Sequence, residues 1–194
     1  VRFLGNIVRL QYQRDHLKVL DGPFKRYEPV NIIAVDELRL TPDGVEAGTP
    51  EAPIIDVHHR AHHRSRNRSD NGISLGFTGH YEIMRERFGE RLTEGIAGEN
   101  ILIDNGARIT EAELAAGIVI ENSSGSVAID EIIVAAPCVE FSRYALDYPR
   151  DARPDRTVSE TVAFLHHGLR GYYASVSATG TIRVGDAVFV RDSN

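Results

Sequence analysis

"AGIVIENSSGSVAIDEIIVAAPC", residues 116–138, carries the decisive pattern. Two apolar runs, "GIVIEN" and "SVAIDEIIV", have the look of strands, and "SSGS" at 123–126 between them is a hairpin candidate. A proline and the chain's only cysteine, Cys138, follow the second run. Two readings of that cysteine stay open. Free cysteine is among the most buried residue types and commonly just packs, yet a thiol just past a strand is also well placed for chemistry.

Outward from this stretch the strand pattern continues. "NIVRLQYQ" (6–13) and "NIIAVDELRL" (31–40) alternate apolar residues, with "DGP" (21–23) and "TPDG" (41–44) as turns. "ENILIDN" (99–105) adds a strand, and "YYASVSATGTIRVGDAVFV" (172–190) reads as a closing hairpin. Two helices are expected. In "GHYEIMRERFGERL" (79–92), Tyr81, Met84, Phe88 and Leu92 recur at helical spacing. In "TVSETVAFLHHG" (157–168), Thr157 and Glu160 form a capping-box pattern and Gly168 suits the stop. Many short strands with two or more helices predict a mainly β, α+β fold: a mixed, mostly antiparallel β-barrel. The 194 residues suit one domain, with 1–50 as N-terminal strands completing the barrel and 56–71 as a basic His/Arg loop.

Composition narrows function. No run approaches the ~18 apolar residues of a membrane span, and charge at Arg2, Arg9 and Arg14 breaks the opening segment, so no signal peptide is expected. A single cysteine excludes an internal disulfide and fits a reducing cytoplasm. Net charge is −6, with 11 Lys/Arg against 10 Asp/Glu in residues 1–70 and 11 against 18 thereafter. That balance argues against general nucleic-acid binding, which depends on neutralising phosphates, so any anion site must be local.

The candidate is "HHRAHHRSRNR", residues 58–68, with four histidines, four arginines and no acid. His58/His62 and His59/His63 have metal-ligand spacing if the segment is helical. Arg60, Arg64, Arg66 and Arg68 oppose a dication and suit an oxyanion, which the guanidinium fork binds bidentately. A solvated, mobile basic loop is the third reading. "GIAGEN" (95–100) offers a glycine turn with Glu99 and Asn100, and the plain reading is a turn in which Asn100 bonds its own backbone. "GLRGYY" (168–173) sets Arg170 between two glycines. No nucleophile elbow, phosphate loop, dinucleotide fingerprint or second cysteine is present. Catalysis by Cys138 with one of eight histidines stays open.

Taken in order, "DVH" (56–58), "GISLGFTGHYEIMRERFG" (72–89), "GIAGENI" (95–101), "APC" (136–138) and "GLRGYYASVSATGTIRVGDAVFV" (168–190) resemble the MOSC family, domains similar to the C-terminal part of molybdenum-cofactor sulfurases. The resemblance implies a strand-rich barrel that binds the molybdenum cofactor (molybdopterin). It makes Cys138 the residue that carries sulfur as a persulfide or ligates molybdenum, with Asp56, His58, Arg64, Arg66, Arg68, Glu99, Asn100 and Arg170 as cofactor-binding candidates. The implied activity is sulfur transfer or reduction of N-hydroxylated compounds. Its partners would be a sulfur donor (a cysteine desulfurase) or an electron-supplying redox protein. The alternative is a non-catalytic module that binds an anionic cofactor or metabolite, with Cys138 structural. Ile55 stands where the family often has glycine before Asp56, and Ala135 where many members have arginine before the Pro-Cys step. Neither lysine, Lys18 or Lys25, has a plausible pyridoxal-phosphate Schiff-base setting.

Overall fold

A computed structural model describes residues 1–123 and 125–192; Ser124 of the expected "SSGS" turn lies outside them. Strand β1 (Arg2–Gln13) is the seam on which the fold closes. Leu4, Ile7 and Leu10 are buried while Phe3 and Val8 face outward. β2 (Lys18–Asp21) and β3 (Phe24–Tyr27) form a separate hairpin around the Asp-Gly-Pro turn. β4 (Ile32–Val35) lies along the second half of β1. β5 (Glu37–Thr41), β6 (Gly44–Thr49) and β7 (Ala52–Ile55) make an antiparallel meander, its first bend at "TPDG".

β8 (Ile73–Phe77) leads through α1 (Thr78–Phe88) to β9 (Ile101–Ile103). A helical crossover returns the chain in the same direction, so this pair is parallel. A one-turn helix, α2 (Glu111–Leu114), precedes the β10 (Ile118–Asn122) and β11 (Gly125–Val134) hairpin. Then come α3 (Val139–Ala145), α4 (Arg156–Leu165), β12 (Tyr172–Ser175), β13 (Gly180–Arg183) and β14 (Ala187–Val190).

Pairing runs β1–β14–β10–β11–β12–β8–β9 and back to β1, a closed mixed barrel of seven strands, antiparallel except at β8–β9. Of the first 50 residues, β1 lies in the barrel wall; β5 and β6 belong to the side sheet β13–β5–β6–β7. The expected closing hairpin does not form. Both edges of β12 are taken by β11 and β8, both edges of β14 by β10 and β1, and β13 crosses to β5.

The barrel interior is filled by Leu10, Leu75, Ile101, Ile118, Ile129 and Val188. A second core lies outside the wall: Leu102 of β9 faces opposite to Ile101 and Ile103, as the period of two requires, and meets Tyr81, Met84, Phe141 and Leu165. Burying each such side chain contributes about 1.5–3 kcal/mol. One helix expectation needs correction. The cap of α4 is Asp155, whose carboxylate accepts from Thr157 N and Val158 N, while Glu160 pairs with Arg156 one turn back. The capping box sits instead at Thr110–Glu113 on α2. No helix among the described residues is long and apolar enough to cross a membrane.

Candidate functional site

Cys138 lies at the start of a helix, just beyond β11. Its Sγ is the N-cap acceptor of α3, taking the Phe141 N–H at 3.4 Å, and the residue is half-buried. Glu140 in the first turn of α3 pairs with Lys18 of β2 at 3.5 Å. Burial works against the Lys18 charge, but neighbouring Cys138 and Glu140 outweigh it and the ammonium pKa is raised.

The sulfur opens onto a cleft of about 370 Å³. Its charged lining is Lys18, Arg66, Arg68 and Arg170, joined by His16 and His58, with no carboxylate among the lining residues. In a chain of net charge −6 this is a marked local reversal. Arg170 is held by donating to Ala97 O and lies 5.0 Å over the Phe141 ring. The corner before it depends on Gly168, whose φ is +84° and whose Cβ would collide with the Tyr172 hydroxyl. Among the described residues, the Arg66 guanidinium has no acidic partner. A second cavity of about 330 Å³ shares Tyr27 with the cleft, but its arginines are committed: Arg26 to Glu28 at 3.2 Å and Arg91 to Asp147 at 2.6 Å.

Beneath the cleft is a buried polar network. Asn100 Oδ1 accepts from Ser74 N at 3.0 Å and Ser74 Oγ at 2.8 Å. Its Nδ2 donates to Gln11 O at 3.2 Å and Asp56 Oδ2 at 3.0 Å. The asparagine therefore knits β8, β1 and the Asp56 loop instead of bonding its own turn. Gln11 and Gln13 of β1 pin the glycine turn by donating to Gly95 O and Gly98 O, each at 2.7 Å. At Gly98, with φ +85°, a Cβ would stand 2.6 Å from Leu17 Cδ1. Glu99 is buried; its Oε2 accepts from the Tyr81 hydroxyl at 2.9 Å, and Oε1 has no hydrogen-bond partner among the described residues. Burial raises the Glu99 pKa although Tyr81 and Arg170 oppose the shift.

The structure thus gathers Cys138, His58, Arg66, Arg68 and Arg170 on the cleft wall. Asp56, Glu99 and Asn100 are buried among the residues that support it. Arg64 is not on the wall; it pairs with Asp15 at 2.5 Å. The 58–68 segment is a succession of turns, without the helix that two-histidine metal spacing needs. His59 turns to Glu46, and His62 Nδ1 accepts from Arg64 N. Among the described residues no group of three His, Cys, Asp or Glu is arranged to hold a metal ion. The segment is also tied down: Asn67 Nδ2 donates to His58 O at 2.7 Å, and Arg60 and Arg68 reach Asp43 and Asp70. Sequence reasoning missed Lys18, His16, Asn71, Ser74 and Tyr173 in the cleft. Lys18 was visible only as one of two lysines, in a hairpin with no local signal of its role.

The family model of the MOSC domain matches residues 60–189. Among curated proteins no sequence match is found. Among solved structures, YiiM from Escherichia coli shares 18% identity over 97% of this chain and 72% of its own, with a TM-score of 0.54. The YuaD protein from Bacillus subtilis shares 17% over 94% and 96%, with a TM-score of 0.52. YiiM from Geobacillus stearothermophilus shares 15% over 98% and 75%, also with a TM-score of 0.52.

Proposed function

The chain belongs to the MOSC domain family, and from that premise we propose that the Cys138 cleft binds a molybdopterin-type cofactor and serves the reduction of N-hydroxylated compounds. One observation carries this reading: the only thiol of an acidic protein faces a cleft lined by four fixed cations and no acid. The donor set suits such a ligand. A thiolate is a soft ligand for a soft metal centre; Arg66, without an acidic partner among the described residues, is free to meet a phosphate, and Lys18 and Arg68 would reach it by giving up their pairs with Glu140 and Asp70. Arg170 and the cleft amides of Asn71 and Gln13 offer donors to a polar ring edge. When bound, the cofactor would supply a centre able to pass two electrons. The residues of this chain hold it, keep acids away from its anionic group and orient polar groups over it. Electrons come from a redox partner protein, and the setting is the cytoplasm, where a lone thiol stays reduced.

Sulfur transfer through a Cys138 persulfide, loaded by a cysteine desulfurase, uses the same cleft. A different reading, a non-catalytic anion-binding module, draws on the Phe141 N–H bond to Sγ and on Cys138 packing against the second core. One experiment separates them. The protein is produced in a molybdopterin-competent host, and molybdenum and pterin per chain are measured for wild type and Cys138→Ser. Near-stoichiometric loading that is lost in the variant supports the proposal; unloaded wild-type protein rejects it.

A further inference from the structure

Asp56 is 0% exposed, yet its carboxylate is fully partnered. Oδ2 accepts from Gln13 N at 2.6 Å and Asn100 Nδ2 at 3.0 Å; Oδ1 accepts from His58 N at 2.8 Å and approaches His58 Nδ1 at 3.0 Å. Burial alone would raise its pKa, but these donors outweigh burial and lower it, so the group is a carboxylate at neutral pH. A carboxylate only accepts, so the proton of the neutral imidazole lies on Nδ1. Nε2 is then the working nitrogen of a ring that lines the cleft, and it has no hydrogen-bond partner among the described residues. His16, edge-on at 6.4 Å, is not equivalent: its Nε2 is engaged with Arg64 O at 2.8 Å, and burial pushes its pKa down. The other charged or titratable groups on the cleft wall are Lys18, Arg66, Arg68, Arg170 and Cys138, with Tyr27 and Tyr173 beside them.

We infer that His58 is the proton donor of this cleft: its Nε2 takes up a proton from solvent and passes it to the oxygen that departs when an N–O bond is broken, with Asp56 as its positioning residue. The inference rests on the reductive reading above. R–NH–OH takes up two electrons, supplied by the redox partner protein, and two protons. The N–O bond breaks, its oxygen leaves as water after accepting the His58 proton, and the second proton, from solvent, completes the amine. Without an acid the oxygen must depart as hydroxide, and a positioned acid at such a step contributes typically ~10²–10⁴-fold. The buried carboxylate fixes the tautomer and the orientation of the ring.

The test compares wild type, His58→Gln, His58→Ala and Asp56→Asn, all produced in a molybdopterin-competent host. Molybdenum and pterin per chain should be equal in all four. With phenylhydroxylamine and a chemical reductant, His58→Gln should lose about 100-fold or more in kcat with KM unchanged. Added imidazole should restore part of the His58→Ala rate, and Asp56→Asn should fall about tenfold. A second readout needs no cofactor: ring ¹⁵N NMR should show the neutral His58 proton on Nδ1, released to both nitrogens in Asp56→Asn. Loss of molybdenum from His58→Gln would make His58 a cofactor holder and overturn the assignment, as would an unchanged kcat. Wild-type protein without molybdenum overturns the reductive reading and this donor role with it. A wild-type proton on Nε2 overturns the dyad itself, whatever the cofactor content.

Discussion

Asn100 Nδ2 donates to Asp56 Oδ2 across 3.0 Å, and both residues are buried. This bond joins the glycine turn before β9 to the loop that presents His58, so the two halves of the site share one polar support.

Asn100→Asp replaces a donor by a second carboxylate facing Asp56. It also loses the bond to Gln11 O, leaving that acceptor buried. An unsatisfied buried group costs ~1–3 kcal/mol, and like charges add to it. Urea unfolding at neutral pH should show a loss of about 3 kcal/mol, smaller in acid, where one carboxylate takes a proton. A loss too small to resolve would mean that Asn100 is not the joint described here.

Asp56 and Glu99 should respond to pH with opposite sign. The Asp56 pKa is lowered in the fold by its donors, despite burial. Its contribution is therefore complete above the ordinary carboxylate range and is lost as pH falls through the lowered value. Burial raises the Glu99 pKa, so the fold favours its protonated form. Stability from Glu99 is complete below the ordinary range and declines as pH rises to the raised value. Chemical denaturation between about pH 4 and pH 8 checks both. Asp56→Asn should cost most at neutral pH, whereas Glu99→Gln should become less costly as pH rises. Parallel pH trends for the two variants would contradict the assignment.

Asp155→Ala should destabilise by about 1 kcal/mol, the usual cost of an N-cap, because its carboxylate holds Thr157 N and Val158 N. Glu160→Ala removes only an exposed pair with Arg156 and should fall within about 0.5 kcal/mol of wild type. Thermal unfolding of the two variants ranks them, and the reverse order would restore the capping box at Thr157 and Glu160.

That contrast shows how far local pattern reaches in this chain. The β10–β11 hairpin, α1 and the body of α4 were legible because each rests on a short-range period. The cap of α4 was misread because the Thr157–Glu160 spacing fits a capping box, whereas Asp155, two residues earlier, is what takes the first N–H groups of the helix. The pairing of β14 with β1 joins opposite ends of the chain, and β13 leaves its neighbours for β5 because their edges are already filled. No local period records that. In the site, Cys138, His58, Arg66, Arg68 and Arg170 were legible through family motifs and charge clustering. Lys18 was not, because its role exists only once the β2–β3 hairpin folds onto α3.

Cys138→Ser should keep the fold. Serine is among the preferred N-cap residues and can take over acceptance of the Phe141 N–H. The midpoint of thermal unfolding should stay within a few degrees of wild type while molybdenum content collapses. Unfolding of Cys138→Ser during purification would instead show that the sulfur matters mainly as packing against the second core.

Lys18 and Glu140 should tune the reactivity of the Cys138 sulfur in opposite directions. The ammonium and the carboxylate pair at 3.5 Å, and both interact with Cys138. A nearby cation favours the thiolate, the form that attacks an alkylating reagent, and a nearby anion disfavours it. Lys18 is close to half exposed, so solvent screens much of its effect. Iodoacetamide should accordingly alkylate Lys18→Met about five- to tenfold more slowly than wild type at low salt, with the gap narrowing in ~1 M salt. Lys18→Arg, which keeps the charge, should stay near wild type. Removing the ion pair also loosens the β2–β3 hairpin from α3, which by itself would expose the sulfur and speed alkylation. Glu140→Gln separates the two effects. It breaks the same pair but removes the anion, so charge control requires faster alkylation here and slower alkylation in Lys18→Met. If both variants react faster, hairpin release governs the thiol and Lys18 acts as a latch. Opposite signs for the two variants are the signature of an electrostatically tuned sulfur.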